Sequence, residues 1–201
     1  MSERVVLSRM RFVVFCLLAF APTISRAQAP PVFGIVMQDS SVTFSVKASV
    51  KLVGTFEKWD SSLTFTSPDV TTGVLDIKIQ ADTVNTGSGM KDGKLKSKEF
   101  FDVKENPLIT FHSDKVVQTG PDTFDLPGTF TIRGVSKPET LHFTVTGKGT
   151  GSGQINGTMA FDRKDYGMTH GIPFVTIADR IEVSVDLKGK RVSGPALVFQ
   201  Q

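Results

Sequence analysis

The sequence has little of what most catalytic and metal sites are built from. It holds one cysteine, Cys16, and three histidines, His112, His142 and His170. A single thiol closes no internal disulfide, so a buried core must hold the fold. No apolar run reaches the ~20 residues of a membrane-spanning helix. The longest, Phe12 to Ala21, contains Cys16, follows Arg4, Arg9 and Arg11, and precedes Ser25-Arg26-Ala27. That order predicts a Sec-type signal peptide over residues 1–27, cut after Ala27, and export to a periplasmic or secreted location.

An excess of one charge is also missing. Four of the 23 Lys and Arg and one of the 20 Asp and Glu lie in the predicted signal, leaving 19 of each and a net charge of zero. The basic pI near 9.0 therefore belongs partly to the signal, and it gives no footing for nucleic-acid binding. Without its thiol the mature chain has no cysteine nucleophile, and no motif sets a Ser or Thr beside a His and a carboxylate. His112 and His142 fall on the outward parity of strands and His170 in a glycine-containing loop. Asp162, Asp165 and Glu182 read as hairpin surface charge. No catalytic residue, metal site or cofactor is assigned.

What the chain does have is alternation and phenylalanine. Val42, Phe44, Val46 and Ala48 alternate with polar residues, and Val50, Leu52 and Phe56 continue the pattern past Gly54, read as a bulge or bend. Leu63 and Phe65 mark a short strand, and Leu75, Ile77 and Ile79 the clearest one. Ile109 and Phe111, Phe124 and Leu126, Phe130 and Ile132, Leu141, Phe143 and Val145, Ile155, Met159 and Phe161, and Ile181, Val183, Val185 and Leu187 repeat the habit. Pro127-Gly128, Gly134 to Pro138 and Gly147 to Gly153 read as turns. Eight or nine short antiparallel strands with close turn signals describe a sandwich or a closed barrel. No composition shift or repeat marks a second domain, and only Gln28 to Pro31 and the tail after Arg191 read as loose.

Between Met90 and Ser113 the period changes. A lysine-rich, helix-compatible segment passes through Phe100-Phe101, stops at Asn106-Pro107 and resumes as a strand, which predicts a helix-to-strand junction. Thirteen of the 16 phenylalanines are mature residues, against one Trp and one Tyr. Such an interior is either packed core or the wall of an apolar cavity, and periodicity does not separate the two.

These stretches resemble one family. Lys91-Asp92-Gly93-Lys94-Leu95-Lys96-Ser97-Lys98-Glu99-Phe100-Phe101-Asp102 is similar to the Arg-Asp-x-His-Leu-Arg-Ser-x-Asp-Phe-Phe-Asp signature of YceI-like proteins. Ser41 to Val46, Val53 to Phe56, Ala81 to Thr86, Pro107 to Ser113, Gly128 to Pro138 and Asp162 to Met168 follow in that family's order. The resemblance spans roughly Asp39 to Lys188. Lysine replaces the signature's His and both its arginines, so a role for positive charge survives there and a role for imidazole does not.

The resemblance implies an all-β fold, an eight-stranded antiparallel lipocalin-like β-barrel with a short helical insertion over residues 39–190, flanked by an extension at 28–38 and a tail at 191–201. It implies a non-enzymatic, exported carrier of a polyisoprenoid, an isoprenoid quinone or a similar apolar lipid. It implies no nucleic acid, no stable membrane span and no cofactor, and leaves a homodimer open. The alternative is a stress-response or scaffold barrel that holds no lipid. Residues expected to line the cavity are Phe44, Val46, Leu52, Phe56, Leu75, Ile77, Ile79, Phe111, Phe130, Ile132, Phe143, Val145, Met159, Phe161, Val183 and Val185. Lys94 and Lys96 are the head-group candidates, with a solvated helix face as the bland alternative. Phe100 and Phe101 are expected to plug one end or dock the helix.

Overall fold

The structure, a computed structural model, describes residues 29–48, 52–171 and 177–200. The predicted signal peptide and Val50 lie outside the described residues. Alternation becomes strand in the order β1 (Val32–Ile35), β2 (Ser41–Ala48), β3 (Leu52–Phe56), β4 (Trp59–Thr64), β5 (Val74–Gln80) and β6 (Val84–Asn85). A helix, α1 (Gly89–Lys96), then interrupts. The second half supplies β7 (Leu108–Ser113), β8 (Val117–Gln118), β9 (Thr123–Ile132), β10 (Val135–Thr146), β11 (Ser152–Asp162) and β12 (Ile177–Ser193).

All twelve strands belong to one antiparallel sheet, whose main path is β4-β5-β7-β9-β10-β11-β12-β2-β3-β6. The path begins at β4 and reaches β3 near its other end, and only Glu57 and Lys58 separate these two in the chain. Taken as one bent strand, β3–β4 returns the sheet on itself, and eight long strands form the barrel wall. Strands β1, β6 and β8 are short additions paired to β12, β3 and β9. One face of each long strand is buried, as the period-two pattern requires.

Three local readings change. Gly54 is no bulge: it pairs in register with Phe44, whose ring lies across the space where a side chain would stand. A Cβ there would come within 2.4 Å of that ring. Gly54→Ala should therefore cost about 1–3 kcal/mol in chemical denaturation, and unchanged stability would mean that the ring moves aside freely. The turn read at Gly134 to Pro138 is only Arg133-Gly134, both at positive φ (56° and 71°), a two-residue hairpin between Ile132 and Val135. Pro138 lies inside β10 because pairing to β11 begins only at His142, so its missing N–H faces no ladder. Pro127 likewise sits inside β9, where its neighbour changes from β7 to β8.

The tail after Arg191 is not loose. Strand β12 continues to Ser193, the Val70 amide donates to the Val198 carbonyl at 3.1 Å, and Leu197 and Phe199 pack on the core. At the other margin, β1 pairs with the C-terminal half of β12 and sets Phe33 5.7 Å from Phe65.

Candidate ligand cavity

The interior divides along the barrel axis. Away from α1 it is solid: Leu75, Phe124, Leu126, Leu141 and Leu187 are fully buried, and Phe124 stacks on Phe143 at 5.1 Å with Phe199 beside them. Each such side chain contributes roughly 1.5–3 kcal/mol by leaving water. At the α1 end the same inward rows enclose a cavity of about 420 Å³, within the range of pockets that hold small organic ligands. Periodicity says nothing about which end is open; the structure opens the barrel beside the helix.

Among the described residues twenty-two line the cavity, and of these all but Lys91, Lys94 and Arg163 are apolar. Nine of the sixteen expected residues are among them: Phe44, Val46, Leu52, Phe56, Ile79, Phe130, Ile132, Phe161 and Val183. The other seven, Leu75, Ile77, Phe111, Phe143, Val145, Met159 and Val185, share the inward parity but lie outside the lining, packed in or against the core. Parity tells inside from outside and carries no depth. Val42, Ala48, Ile109 and Ile181 also line the cavity, and their strand parity could have found them. Leu95, Met90, Met168, Ile177 and Arg163 have no such signal, because they stand in the helix, in loops or at a strand's first residue.

The helix is short because Gly93 and the Ser97 turn weaken it, and it docks by Leu95 and by the Phe100-Phe101 pair that follows. Both phenylalanines are buried and both line the cavity, so they dock the helix and form wall together. Phe101 stands 6.3 Å from Phe44 and 6.1 Å from Phe56. Asp102, at φ 52°, turns the chain, and its carbonyl accepts from the Asn106 amide at 2.9 Å. The rim carries Met90, 88 % exposed, beside Lys91 and Lys94.

The two head-group candidates separate. Lys94 lines the cavity; its Nζ pairs with Glu99 and lies 5.9 Å from the centre of the Phe100 ring. The Lys94 hydrogen bond holds the Glu99 carboxyl below the usual range. Lys96 belongs instead to an outer groove with Lys98, Lys104 and Glu105. Residues two apart on a helix stand about 200° apart around its axis, so one face cannot hold both.

A second aromatic group packs against the lining residues Phe130 and Phe161. Tyr166 is fully buried, 5.5 Å from Phe130 and 5.1 Å from Phe161, and its hydroxyl donates to Glu139 at 2.9 Å. Burial, then the hydrogen bond to that carboxylate, push the phenol well above its usual range, so it stays protonated. Arg133 donates to the Gly167 carbonyl at 2.7 Å and to the Lys98 carbonyl at 2.9 Å, tying the loop after β11 to the loop after α1. His112 and His142 are exposed and pair across strands with Asp76 and Asp125, each at 2.7 Å. Among the described residues no three His, Asp or Glu come together as a metal would need, and no helix is long and apolar enough to cross a membrane.

The YceI-like domain model matches residues 33–189, most of the chain and nearly the whole of the barrel just described. The chain belongs to the YceI-like family. A UPF0312 protein of Pseudomonas aeruginosa is 30% identical over 122 residues, covering 58% of this chain and 63% of that protein. Protein YceI of Salmonella arizonae is 35% identical over 98 residues, 49% of this chain and 51% of that one. The chain thus spans about three-fifths or less of the curated relatives it matches. Among solved structures, BcnA of Burkholderia cenocepacia superposes with a TM-score of 0.71 at 22% identity, covering 77% of this chain and 99% of that one. A polyisoprenoid binding domain of Saccharophagus degradans, implicated in plant cell wall breakdown, gives 0.63 at 14% identity, covering 80% and 99%. At these identities the likeness to solved structures speaks for the fold.

Proposed function

We propose that this YceI-like protein is an exported, non-catalytic carrier that holds a long apolar lipid, of the isoprenoid or isoprenoid-quinone class, in the open half of its barrel. The observation that carries the reading is the cavity itself: a preformed space whose described walls are apolar but for three cations, beside a solid half that needs no ligand to pack. Moving a lipid chain from water into that space is worth about 0.8 kcal/mol per methylene before ordering costs. A tail of several isoprenoid units exceeds those costs without any precise polar contact. The Saccharophagus degradans domain of the same fold, described as polyisoprenoid binding, supports the ligand class. The lysines at the rim, Lys91 and Lys94, suit a chain whose polar end stays near the opening.

Native mass spectrometry of the mature protein purified from its host tests this. The expected spectrum contains an apolar adduct, or acquires one when an isoprenoid quinone is added. A bare polypeptide mass under both conditions would return the barrel to a scaffold role.

A further inference from the structure

The lysines of α1 and of the loop behind it are divided between two adjoining surfaces. Lys91 and Lys94 line the mouth of the cavity with Met90, while Gly93, Lys96, Lys98 and Lys104 line the outer groove with Asp102 and Glu105. Backbone hydrogen bonds hold this loop against the helix. The Val103 amide donates to the Lys96 carbonyl at 3.2 Å, the Asp102 amide to the Ser97 carbonyl at 2.9 Å, and Arg133 to the Lys98 carbonyl at 2.9 Å. Helix and loop together form a ledge beside the opening.

The charges of the ledge are unevenly committed. Asp92 accepts from the Thr86 amide at 2.8 Å and its hydroxyl at 2.7 Å, and Glu99 pairs with Lys94. Among the described residues, none of Lys91, Lys96, Lys98 and Lys104 has a carboxylate within ion-pair distance, although Asp102 and Glu105 share the groove. Lys91, Lys98 and Lys104 are exposed, and Met90 beside them is 88 % exposed. Long cationic side chains around an exposed, unbranched apolar one suit a bilayer interface: the ammonium groups reach lipid phosphates while the apolar parts meet the acyl boundary. The cavity opens at the same place. A tail leaving that mouth into water loses the transfer energy that held it, whereas one passing directly into a bilayer keeps it.

Resting on the lipid-holding reading above, we propose that this ledge docks the mouth of the barrel on an anionic bilayer surface. Lys91, Lys96, Lys98 and Lys104 meet phosphate head groups, and Met90 enters the interface. Lipid then passes between bilayer and cavity without crossing water. Replacing Lys96, Lys98 and Lys104 together by glutamine isolates the docking role, because none of the three lines the cavity.

The test floats the mature wild-type protein and the Lys96→Gln, Lys98→Gln, Lys104→Gln variant with two kinds of vesicle, phosphatidylcholine alone and phosphatidylcholine mixed with phosphatidylglycerol. The wild type is expected to bind the mixed vesicles about tenfold or more tightly than the neutral ones, with a preference that fades as salt is added, and the variant to lose that preference. Transfer of an isoprenoid quinone from mixed vesicles into the barrel should slow in the variant, while its uptake from vesicle-free solution stays at the wild-type level. A wild type that takes up quinone yet shows no preference for the mixed vesicles, or a variant that keeps the preference, overturns the docking proposal alone. Binding of the wild type to soluble polyglutamate as tightly as to mixed vesicles also overturns it, since the lysines would then suit an acidic polypeptide. No quinone uptake under any condition overturns the lipid-holding reading and this inference with it. Should the variant fail to fold, wild-type transfer rates decide: faster transfer from mixed than from neutral vesicles supports docking, and equal rates overturn it.

Discussion

Val46→Trp is expected to abolish lipid uptake while leaving the protein folded. Val46 is buried on β2, pairs with Leu52 on one side and Ile181 on the other, and all three line the cavity. Tryptophan suits a strand, and the extra ring enters existing space, so the usual cost of overpacking is reduced. The indole excludes on the order of five ligand carbons, which at about 0.8 kcal/mol each is roughly 4 kcal/mol, or about a thousandfold in affinity. Its outward neighbour supplies the control. Ser45→Trp places the same ring on the other face of the strand, and uptake should stay at the wild-type level. Titration of an isoprenoid quinone followed by intrinsic fluorescence, with thermal melts alongside, reads both quantities. A folded Val46→Trp protein that binds as tightly as wild type would remove the cavity from the mechanism.

Phe124→Ala should do the opposite. Phe124 is 1 % exposed, stacked on Phe143 and in contact range of Phe199, in the half of the barrel where none of the described residues lines the cavity. Truncating a phenylalanine in a filled core costs about 3–5 kcal/mol, from lost transfer energy and the void left behind. That is a large share of the ~5–15 kcal/mol typical of a domain. The midpoint of urea unfolding should fall accordingly, with the slope of the transition unchanged. Below that midpoint, lipid affinity should match wild type, since the open half is untouched. A variant that kept its stability and lost affinity would contradict the division of the interior into core and cavity. The pair of variants thus separates two properties that one row of inward residues confounds.

That confounding explains how much of the molecule was legible. Strand parity placed nearly every buried side chain correctly, because facing in or out repeats every second residue whatever the register. The change of period at Met90 located α1 and the start of β7, and the phenylalanine pair there docks as expected. Parity misleads where glycine and proline read as punctuation. Gly54, Pro127 and Pro138 all lie inside strands, permitted by what the neighbouring chain does beside them. Lys94 and Lys96 looked equivalent in a charge run, and helical geometry sends them to different faces. Arg163 gave no periodic signal, since a turn fixes it and its partners are loop carbonyls and the Asp179 carboxylate.

The sequence by itself determined the all-β class, the inward and outward faces, the site of the helical insertion and the family. Those properties depend on neighbours a few residues apart, or on motif order along the chain. Only the tertiary structure decided that the barrel is filled away from α1 and open beside it, that β3–β4 brings the sheet round on itself, and that the C-terminal tail packs on the core. Depth along a barrel is the accumulated register of many strands paired across long separations. No single stretch of chain encodes that sum.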